Sequence, residues 1–307
     1  MALAPDRFDF VPWNNRPIIK WPSGARVAFW VAPNIEHYEF LPPPNDFRNP
    51  WPRTPHPDVM NYAYRDYGNR VGFWRMLEVI DKHNVRCTAS LNEAVLEHFP
   101  EIRDAMVERN WDYMTHGIYN TIFLTKFTEE EEREFYRDCI ETLKKHTGKD
   151  LKGMLGPALS STPRTPDLMA KAGLTYHADW FHDDQPFPLR VPSGRFISMP
   201  YSIELNDAPY FGGKSSWEGD DFANMCKRQF DRLYIEGAVN GQVMCIALHP
   251  FQIGQPHRIK YLDEIFRYIL SHDGVWMTTA DEIAQYYIDH YYDAAMVHAQ
   301  RLTTEAV

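Results

Sequence analysis

The sequence predicts an α/β fold in which one (β/α) barrel spans the whole chain. Short apolar runs alternate with segments of helical periodicity, and this alternation is typical of βα units that build a mainly parallel sheet. No linker-like composition divides the 307 residues. A single domain over residues 1–307 therefore explains this order better than two domains.

The predicted elements follow one another in chain order. Strands are predicted over residues 26–31, 86–91, 243–248 and 275–278, and helices over residues 70–83, 129–145, 260–271 and 281–293. Before the second helix, Thr128 and Glu131 form a capping-box pattern, and the glutamates after Thr128 place negative charge at the positive end of the helix dipole. These charges therefore need no catalytic explanation.

A proline-rich insertion occupies residues 41–57. Its fixed φ angles and missing N–H groups exclude a helix or a central strand. We therefore predict a long surface loop directly after the first candidate site, where it forms a fixed lid or reaches a neighbouring subunit.

The composition excludes several classes of protein. Apolar residues make up 44% and charged residues 24% of an aromatic-rich chain, which excludes disorder, collagen and coiled coil. The net charge of −10, without a strongly basic segment, argues against a nucleic-acid partner. No apolar run is long enough for a membrane span, the start of the chain lacks an export signal, and the four cysteines are scattered. These features predict a cytoplasmic protein without a membrane partner.

Chemistry-bearing side chains follow the predicted strands, where a parallel barrel places its active site. They are Asn34 and Glu36 after the first strand, His116 in a Thr-His-Gly sequence, Asp183 and Asp184 in the run HADWFHDDQPF, and His249 after the strand over residues 243–248. A lone histidine at a strand end is usually structural, and adjacent aspartates often cap turns. The convergence of two histidines with up to three carboxylates nevertheless favours a hydrolytic acid/base site.

Six phrases in order resemble the polysaccharide deacetylase superfamily, the chitooligosaccharide deacetylase homology fold. The similarity is greatest to its metal-independent allantoinase and cyclic-imide hydrolase branch. The phrases are WPSGARVAFWV followed by Asn34 and Glu36, YGNRVGFWRMLEVI, the stretch Trp111 to Gly117, DDQP, MPYSIELND and LHPFQIGQPHR. The resemblance covers about residues 15–290 and implies a distorted (β/α) barrel with its site at one mouth.

The chain departs from the metal-dependent members of this superfamily. Those members pair Asp-x-Asp with His-[Ser/Thr]-x-x-His, whereas the corresponding positions here are Ala32 and Asn34, then His116 and Asn120. One histidine with two neutral amides is a poor set of zinc ligands. We therefore expect no cofactor. The alternative is zinc or another divalent metal held by Glu36, His116 and Asn120.

The allantoinase branch also lacks the metal pair, but it carries an arginine in its third motif where this chain has Pro157. Loss of a guanidinium removes a bidentate partner for a carboxylate or ureide, and whether Arg164 replaces it stays open. Allantoin itself is therefore not the expected substrate.

The residues and the resemblance together predict a hydrolase of a non-peptide C–N bond that opens a small cyclic amide, imide or ureide without a full zinc triad. His249 is expected to do the main acid/base work, His116 to donate to the oxyanion or act as a second acid, and Glu36 to activate or orient water. Asp183 or Asp184 is expected to fix a histidine tautomer. Two alternatives stay open: a metal-dependent N-deacetylase of a carbohydrate or small N-acyl substrate, and a catalytically inactive binding protein.

Further polar and aromatic residues are expected to bind the substrate. They are Asn34, Asn120, Trp180, Asn206, Asp207 and His257. The expected partners are a small-molecule substrate and, as the resemblance implies, further copies of the same chain in a homo-oligomer, a dimer or a tetramer.

Overall fold

The central strand of the protein, β1 (Val27–Ile35), is buried along its whole length. The computed structural model describes residues 7–43, 57–212 and 218–305. On one side β1 pairs in parallel with β8 (Gln242–Leu248) over the register from Val27↔Gln242 to Pro33↔Leu248. On the other side β9 (Val275–Met277) pairs with the start of β1, and β2 (Thr88–Leu91) pairs with its end. This split pairing separates β2 from the start of β1 and distorts the barrel.

The sheet continues from β2 in one direction. It runs through β3 (Asp112–Thr115), β4 (Gly153–Met154), β5 (Tyr176–His177) and β7 (Ile197–Ser198), all parallel, to β6 (Phe187–Pro188), which is antiparallel to β7. After β7 the chain returns to β8, where the Ala247 amide donates to the Leu205 carbonyl at 2.9 Å. The result is a curled half-barrel, which confirms the predicted α/β fold of the distorted-barrel type.

Helices cover the outside of the sheet. In chain order they are α1 (Val59–Tyr67), α2 (Phe73–Lys82), α3 (Ala94–His98), α4 (Pro100–Glu108), α5 (Glu129–Thr147), α6 (Thr165–Lys171), α7 (Asp207–Gly212), α8 (Gly219–Gly237), α9 (Pro250–Ile253), α10 (Ile259–Leu270), α11 (Ala280–His290) and α12 (Tyr292–Glu305). A π-helical turn over Gly68–Gly72 joins α1 to α2. A Cβ atom on Gly72 would lie 2.0 Å from the Pro250 carbonyl oxygen, so glycine is required where this turn packs on α9.

The side chains of β1 alternate between two buried layers. Phe29 and Val31 belong to the core cluster that includes the outer helices, whereas Trp30 and Ala32 belong to a second cluster. Because successive side chains of a strand point to opposite faces, Asn34 lies on the same face as Trp30 and Ala32. Asn34 therefore lies on the inner face of β1, at the mouth of the barrel.

Most predicted elements agree with the structure to within a few residues. The capping box of Thr128 and Glu131 is present at the start of α5. The helix predicted over residues 281–293 is in fact two helices, because Tyr291 leaves the helical conformation between α11 and α12. Its hydroxyl donates to the main-chain oxygen of Lys20 at 2.9 Å, so this contact holds the break in place.

Four other predictions are tested by the structure to different extents. All four cysteines are buried and unpaired, as expected for reduced thiols. None of the helices in the described ranges is long and apolar enough to cross a membrane. Residues 44–56, most of the proline-rich insertion predicted over residues 41–57, lie outside the described residues. The lid or arm stays a prediction, and so does the homo-oligomer.

Candidate active site

A cavity of about 700 Å³ lies where the parallel strands end. Glu36 lines it just after β1, His116 just after β3 and His249 just after β8. This is the edge at which a parallel barrel gathers side chains from distant parts of the chain. The structure therefore brings together Glu36, His116 and His249, which were predicted to carry the chemistry. Three predicted substrate-binding residues line the same cavity: Asn34, Asn120 and Asn206.

Glu36 lies between the two histidines. Its Oε1 atom is 3.4 Å from His116 Nε2 and 3.5 Å from His249 Nε2, and its Oε2 atom accepts a hydrogen bond from the Tyr38 hydroxyl at 2.9 Å. Burial alone would raise the pKa of Glu36, but the charge of His249, its hydrogen bond to Glu36 and the nearby His116 imidazole lower the pKa well below its usual value. Glu36 is therefore a carboxylate at neutral pH.

His249 is held from behind by Asp207, the first residue of α7. Its Nδ1 atom is 2.7 Å from Asp207 Oδ1, and Asp207 Oδ2 accepts the main-chain N–H groups of His249 at 2.9 Å and Ile253 at 3.1 Å. Burial would lower the pKa of His249, but the charge of Glu36 and the hydrogen bond to Asp207 raise it to about 10. At neutral pH His249 is thus an imidazolium, and its Nε2–H faces Glu36.

His116 has a different tautomer. Its Nδ1 atom lies 2.7 Å from the main-chain oxygen of Leu155, and a carbonyl can only accept, so Nδ1 carries a proton. In the Nδ1–H tautomer of His116, the lone pair of Nε2 faces the cavity. Gly117 allows the turn that follows, because its φ is +80° and a Cβ there would lie 2.6 Å from Pro157 Cγ.

Three amide side chains complete the polar wall. The Asn34 Nδ2 atom donates to two main-chain carbonyls at 3.3 Å and to the Tyr201 hydroxyl at 3.2 Å. Asn206 Nδ2 donates to the same hydroxyl at 3.2 Å. The Asn120 Nδ2 atom donates to the hydroxyl of Tyr38. Hydrogen bonds therefore hold these amides, and Tyr38 links Asn120 to the carboxylate at the centre of the site.

The residues at the deacetylase metal positions do not fit a zinc site. Ala32 has no ligand atom, and Asn34 and Asn120 offer only neutral amide oxygens in place of the carboxylate and imidazole ligands that zinc prefers. Across the residues that the structure describes, no group of three or more His, Cys, Asp or Glu side chains could hold a metal ion. The expectation of no cofactor stays a prediction.

Asp183 and Asp184 do not contact His116 or His249. Arg16 donates to both carboxylate oxygens of Asp183, at 2.6 and 2.7 Å, and this pair lines a separate pocket. The Asp184 carbonyl accepts from the Val243 amide at 2.9 Å. The role of fixing a histidine tautomer, which the sequence analysis gave to Asp183 or Asp184, is therefore corrected: Asp207 makes that contact.

Two predicted substrate-binding residues also lie elsewhere. Trp180 packs edge to face with Phe8 at 5.6 Å between ring centroids, and its Nε1 donates to His177 Nδ1 at 3.2 Å. His257 is exposed and does not line the cavity. We correct both assignments, because these side chains follow their strands by enough residues to turn away from the barrel mouth.

Several residues that line the cavity were not predicted from the sequence. They are Tyr38, Tyr64, Arg65, Tyr201, Phe251 and Gln252. Two of them could have been found from their closeness in sequence to a predicted site residue: Tyr38 is two residues after Glu36, and Gln252 is three residues after His249. Tyr64 and Arg65 could not be found in this way, because no helix was predicted over α1.

Comparisons with known proteins agree with this fold. The sequence family described as "Polysaccharide deacetylase" matches residues 56–177. A Schizosaccharomyces pombe protein named "Putative polysaccharide deacetylase" is 26% identical over 292 residues, which cover 86% of this chain and 91% of that protein. A solved structure from Pseudomonas aeruginosa PAO1, described as a probable polysaccharide deacetylase, has a TM-score of 0.79 and 28% identity over 91% of this chain and 96% of that one. PuuE allantoinase has a TM-score of 0.79 and 27% identity over 90% of this chain and 95% of its own.

Proposed function

We propose that the chain, which is similar in sequence and fold to polysaccharide deacetylases and to PuuE allantoinase, opens a small cyclic amide, imide or ureide. The observation that carries this proposal is the arrangement of Glu36 between a protonated His249 and the Nε2 atom of His116. The likeness to PuuE allantoinase supports the same substrate class.

Amide hydrolysis needs a base for water, a donor for the oxyanion and an acid for the leaving nitrogen. The side chains of this cavity offer all three, but they offer no strong Lewis acid. Imides and ureides in a ring have a more electrophilic carbonyl and a better leaving nitrogen than an ordinary acetamide. The available groups therefore suit a cyclic substrate better than an N-acetylated glycan.

The two histidines take different roles in this mechanism. His116 Nε2, which bears a lone pair, accepts a proton from water while Glu36 orients that water, and the water oxygen attacks the substrate carbonyl carbon. The His249 imidazolium donates to the oxyanion. When the C–N bond breaks, His249 gives its Nε2 proton to the leaving nitrogen. Glu36 then returns the proton from His116 to His249, since its Oε1 atom lies between the two Nε2 atoms.

This assignment differs from the sequence-based one for one residue. His116 was expected to donate to the oxyanion or act as an acid, but its Nδ1 proton is directed to Leu155 and supports a base instead. His249 keeps its predicted role as the acid, and in this mechanism it also donates a hydrogen bond to the oxyanion.

The names of several similar proteins favour a second candidate, a metal-dependent N-deacetylase of a carbohydrate. The test is hydrolysis of succinimide, hydantoin and N-acetylglucosamine oligomers by protein purified without added metal, before and after chelation, with metal content measured by mass spectrometry. Chelator-resistant ring opening with metal near zero is expected. Chelator-sensitive release of acetate with about one metal per chain would replace our proposal by the deacetylase. Tight binding of the cyclic compounds without turnover would support the inactive binding protein.

A further inference from the structure

Gln252 is buried beside the proposed catalytic groups, with only 2% of its surface exposed. It lies on α9, three residues after His249, and lines the same cavity. Its main-chain N–H donates to the His249 carbonyl at 2.8 Å. Positions three residues apart lie on one side of a helical turn, so both side chains project from the same turn.

Two donors fix the orientation of the Gln252 amide. Its Oε1 atom accepts from the Tyr64 hydroxyl at 2.9 Å and from Arg258 Nη1 at 2.8 Å. A guanidinium has no acceptor, so the amide atom that faces Arg258 must be the oxygen. The Arg258 guanidinium is itself stacked over the Phe211 ring at 4.1 Å, which holds the donor in place.

The Nε2 atom of Gln252 is available to bind a ligand. No acceptor among the described residues lies within hydrogen-bond distance of Gln252 Nε2, although both partners of Oε1 are in place. The Nε2 atom is not sealed in the core but is open to the cavity that Gln252 lines. Because Gln252 lines the cavity, a bound molecule can supply the missing acceptor.

We propose that Gln252 Nε2 binds a second carbonyl oxygen of the substrate. While His249 acts on the carbonyl that is attacked, Gln252 holds the carbonyl on the other side of the ring nitrogen. The site then takes imides and hydantoin-type ureides in preference to lactams, which have one carbonyl. This inference rests on the proposed function and narrows its substrate class.

The test compares two rings that differ by one carbonyl, succinimide and 2-pyrrolidinone. Gln252→Met keeps the length of the side chain and removes the donor. Gln252→Glu keeps an oxygen for Tyr64 and Arg258 and places a second oxygen where Nε2 stood. The control is Gln255→Met, because Gln255 donates to the Phe251 carbonyl at 3.2 Å and does not line the cavity.

In Gln252→Met, kcat/KM for succinimide should fall about tenfold to a hundredfold, since a site built to hydrogen-bond a polar group loses its preference for that group. In Gln252→Glu the fall should be at least as large. The inhibition constant of 2-pyrrolidinone should change by less than about twofold in Gln252→Met, and Gln255→Met should leave both constants unchanged. Equal changes for the two rings, or an unchanged kcat/KM for succinimide, would overturn the inference.

Failure of the proposed function gives a different result. If wild-type protein hydrolyses none of the rings, dissociation constants for the same two rings are measured by calorimetry. Succinimide should then bind wild-type protein about tenfold more tightly than 2-pyrrolidinone, and Gln252→Met should abolish that difference. Equal dissociation constants in wild-type protein would contradict the role of Gln252 independently of catalysis.

Discussion

Asp207 contacts both the side chain and the main chain of His249. One carboxylate oxygen lies 2.7 Å from the Nδ1 atom, and the other accepts the His249 amide N–H at 2.9 Å. Asp207 thus fixes both the orientation of the imidazole and the proton on its Nδ1 atom. Asp207 is fully buried and does not line the cavity, so we correct its predicted role from substrate binding to positioning.

The Asp207→Asn variant tests this role. An amide can keep one oxygen on the two main-chain N–H groups, but its nitrogen must then donate to His249 Nδ1. This contact removes the Nδ1 proton and leaves a neutral imidazole, a much weaker acid than the imidazolium. We expect kcat to fall by about 10²–10⁴-fold with a smaller change in KM. Initial-rate kinetics on a cyclic imide measure both constants. A purely structural role would instead lower the fraction of active enzyme without changing the pH profile of the remainder.

The pH profile of the wild-type enzyme follows from the same pair. The pKa of His249 is raised to about 10, against burial, by Glu36 and Asp207. An acid with this pKa stays protonated across the neutral range, so the loss of kcat/KM assigned to His249 should begin only as the pH approaches 10. In Asp207→Asn this alkaline limb should move to lower pH. An alkaline limb near pH 7 in wild-type enzyme would contradict the assignment.

The central part of this site could be predicted from the sequence for a physical reason. Alternation along a strand puts Asn34 on the inner face of β1, and parallel strands end at one edge, so residues just after them meet. Glu36, His116 and His249 each lie within two residues of such an end.

The errors follow from the same reasoning. Asp183 lies six residues beyond β5, and the sequence gives no sign that Arg16, from the other end of the chain, pairs with it. Asp207 begins a short helix and does not follow a strand. The rule that residues just after parallel strands meet at one edge therefore could not place it beside His249. Contacts of this kind depend on the path of a loop, which local periodicity does not encode.

Asn34 occupies a position that is Asp in the metal-dependent deacetylases, and its contacts predict that Asp would destabilise this chain. Its Nδ2 atom donates to the main-chain oxygens of Ala32 and Leu248 at 3.3 Å. In Asn34→Asp a carboxylate oxygen would face these two acceptors in a buried site. We expect the free energy of unfolding at pH 7 to fall by about 1–3 kcal/mol, and part of this loss to be recovered at pH 4, where a protonated acid can donate. Urea denaturation at the two pH values measures the difference.

A matched control separates charge repulsion from loss of the amide itself. Asn34→Ala removes the donor without adding a carboxylate, so its loss of stability should be the same at pH 4 and pH 7. If Asn34→Asp shows no more pH dependence than Asn34→Ala, the carbonyl contacts do not explain why an amide occupies this position.

Glu93 is a natural buried carboxyl group whose ionisation should affect the free energy of unfolding. Neither of its carboxyl oxygens has a hydrogen-bond partner among the described residues, and burial raises its pKa to about 8. Because this value lies above that of the unfolded chain, near 4.5, the stabilising contribution is full below pH 4.5 and is lost as the pH rises through 8. Glu93→Gln should therefore raise the free energy of unfolding at pH 8.5 by about 4 kcal/mol and change it by less than about 1 kcal/mol at pH 5. Glu101→Gln, at an exposed site, should have the same small effect at both pH values. Equal effects of Glu93→Gln at pH 5 and pH 8.5 would mean that Glu93 does not take up a proton on folding.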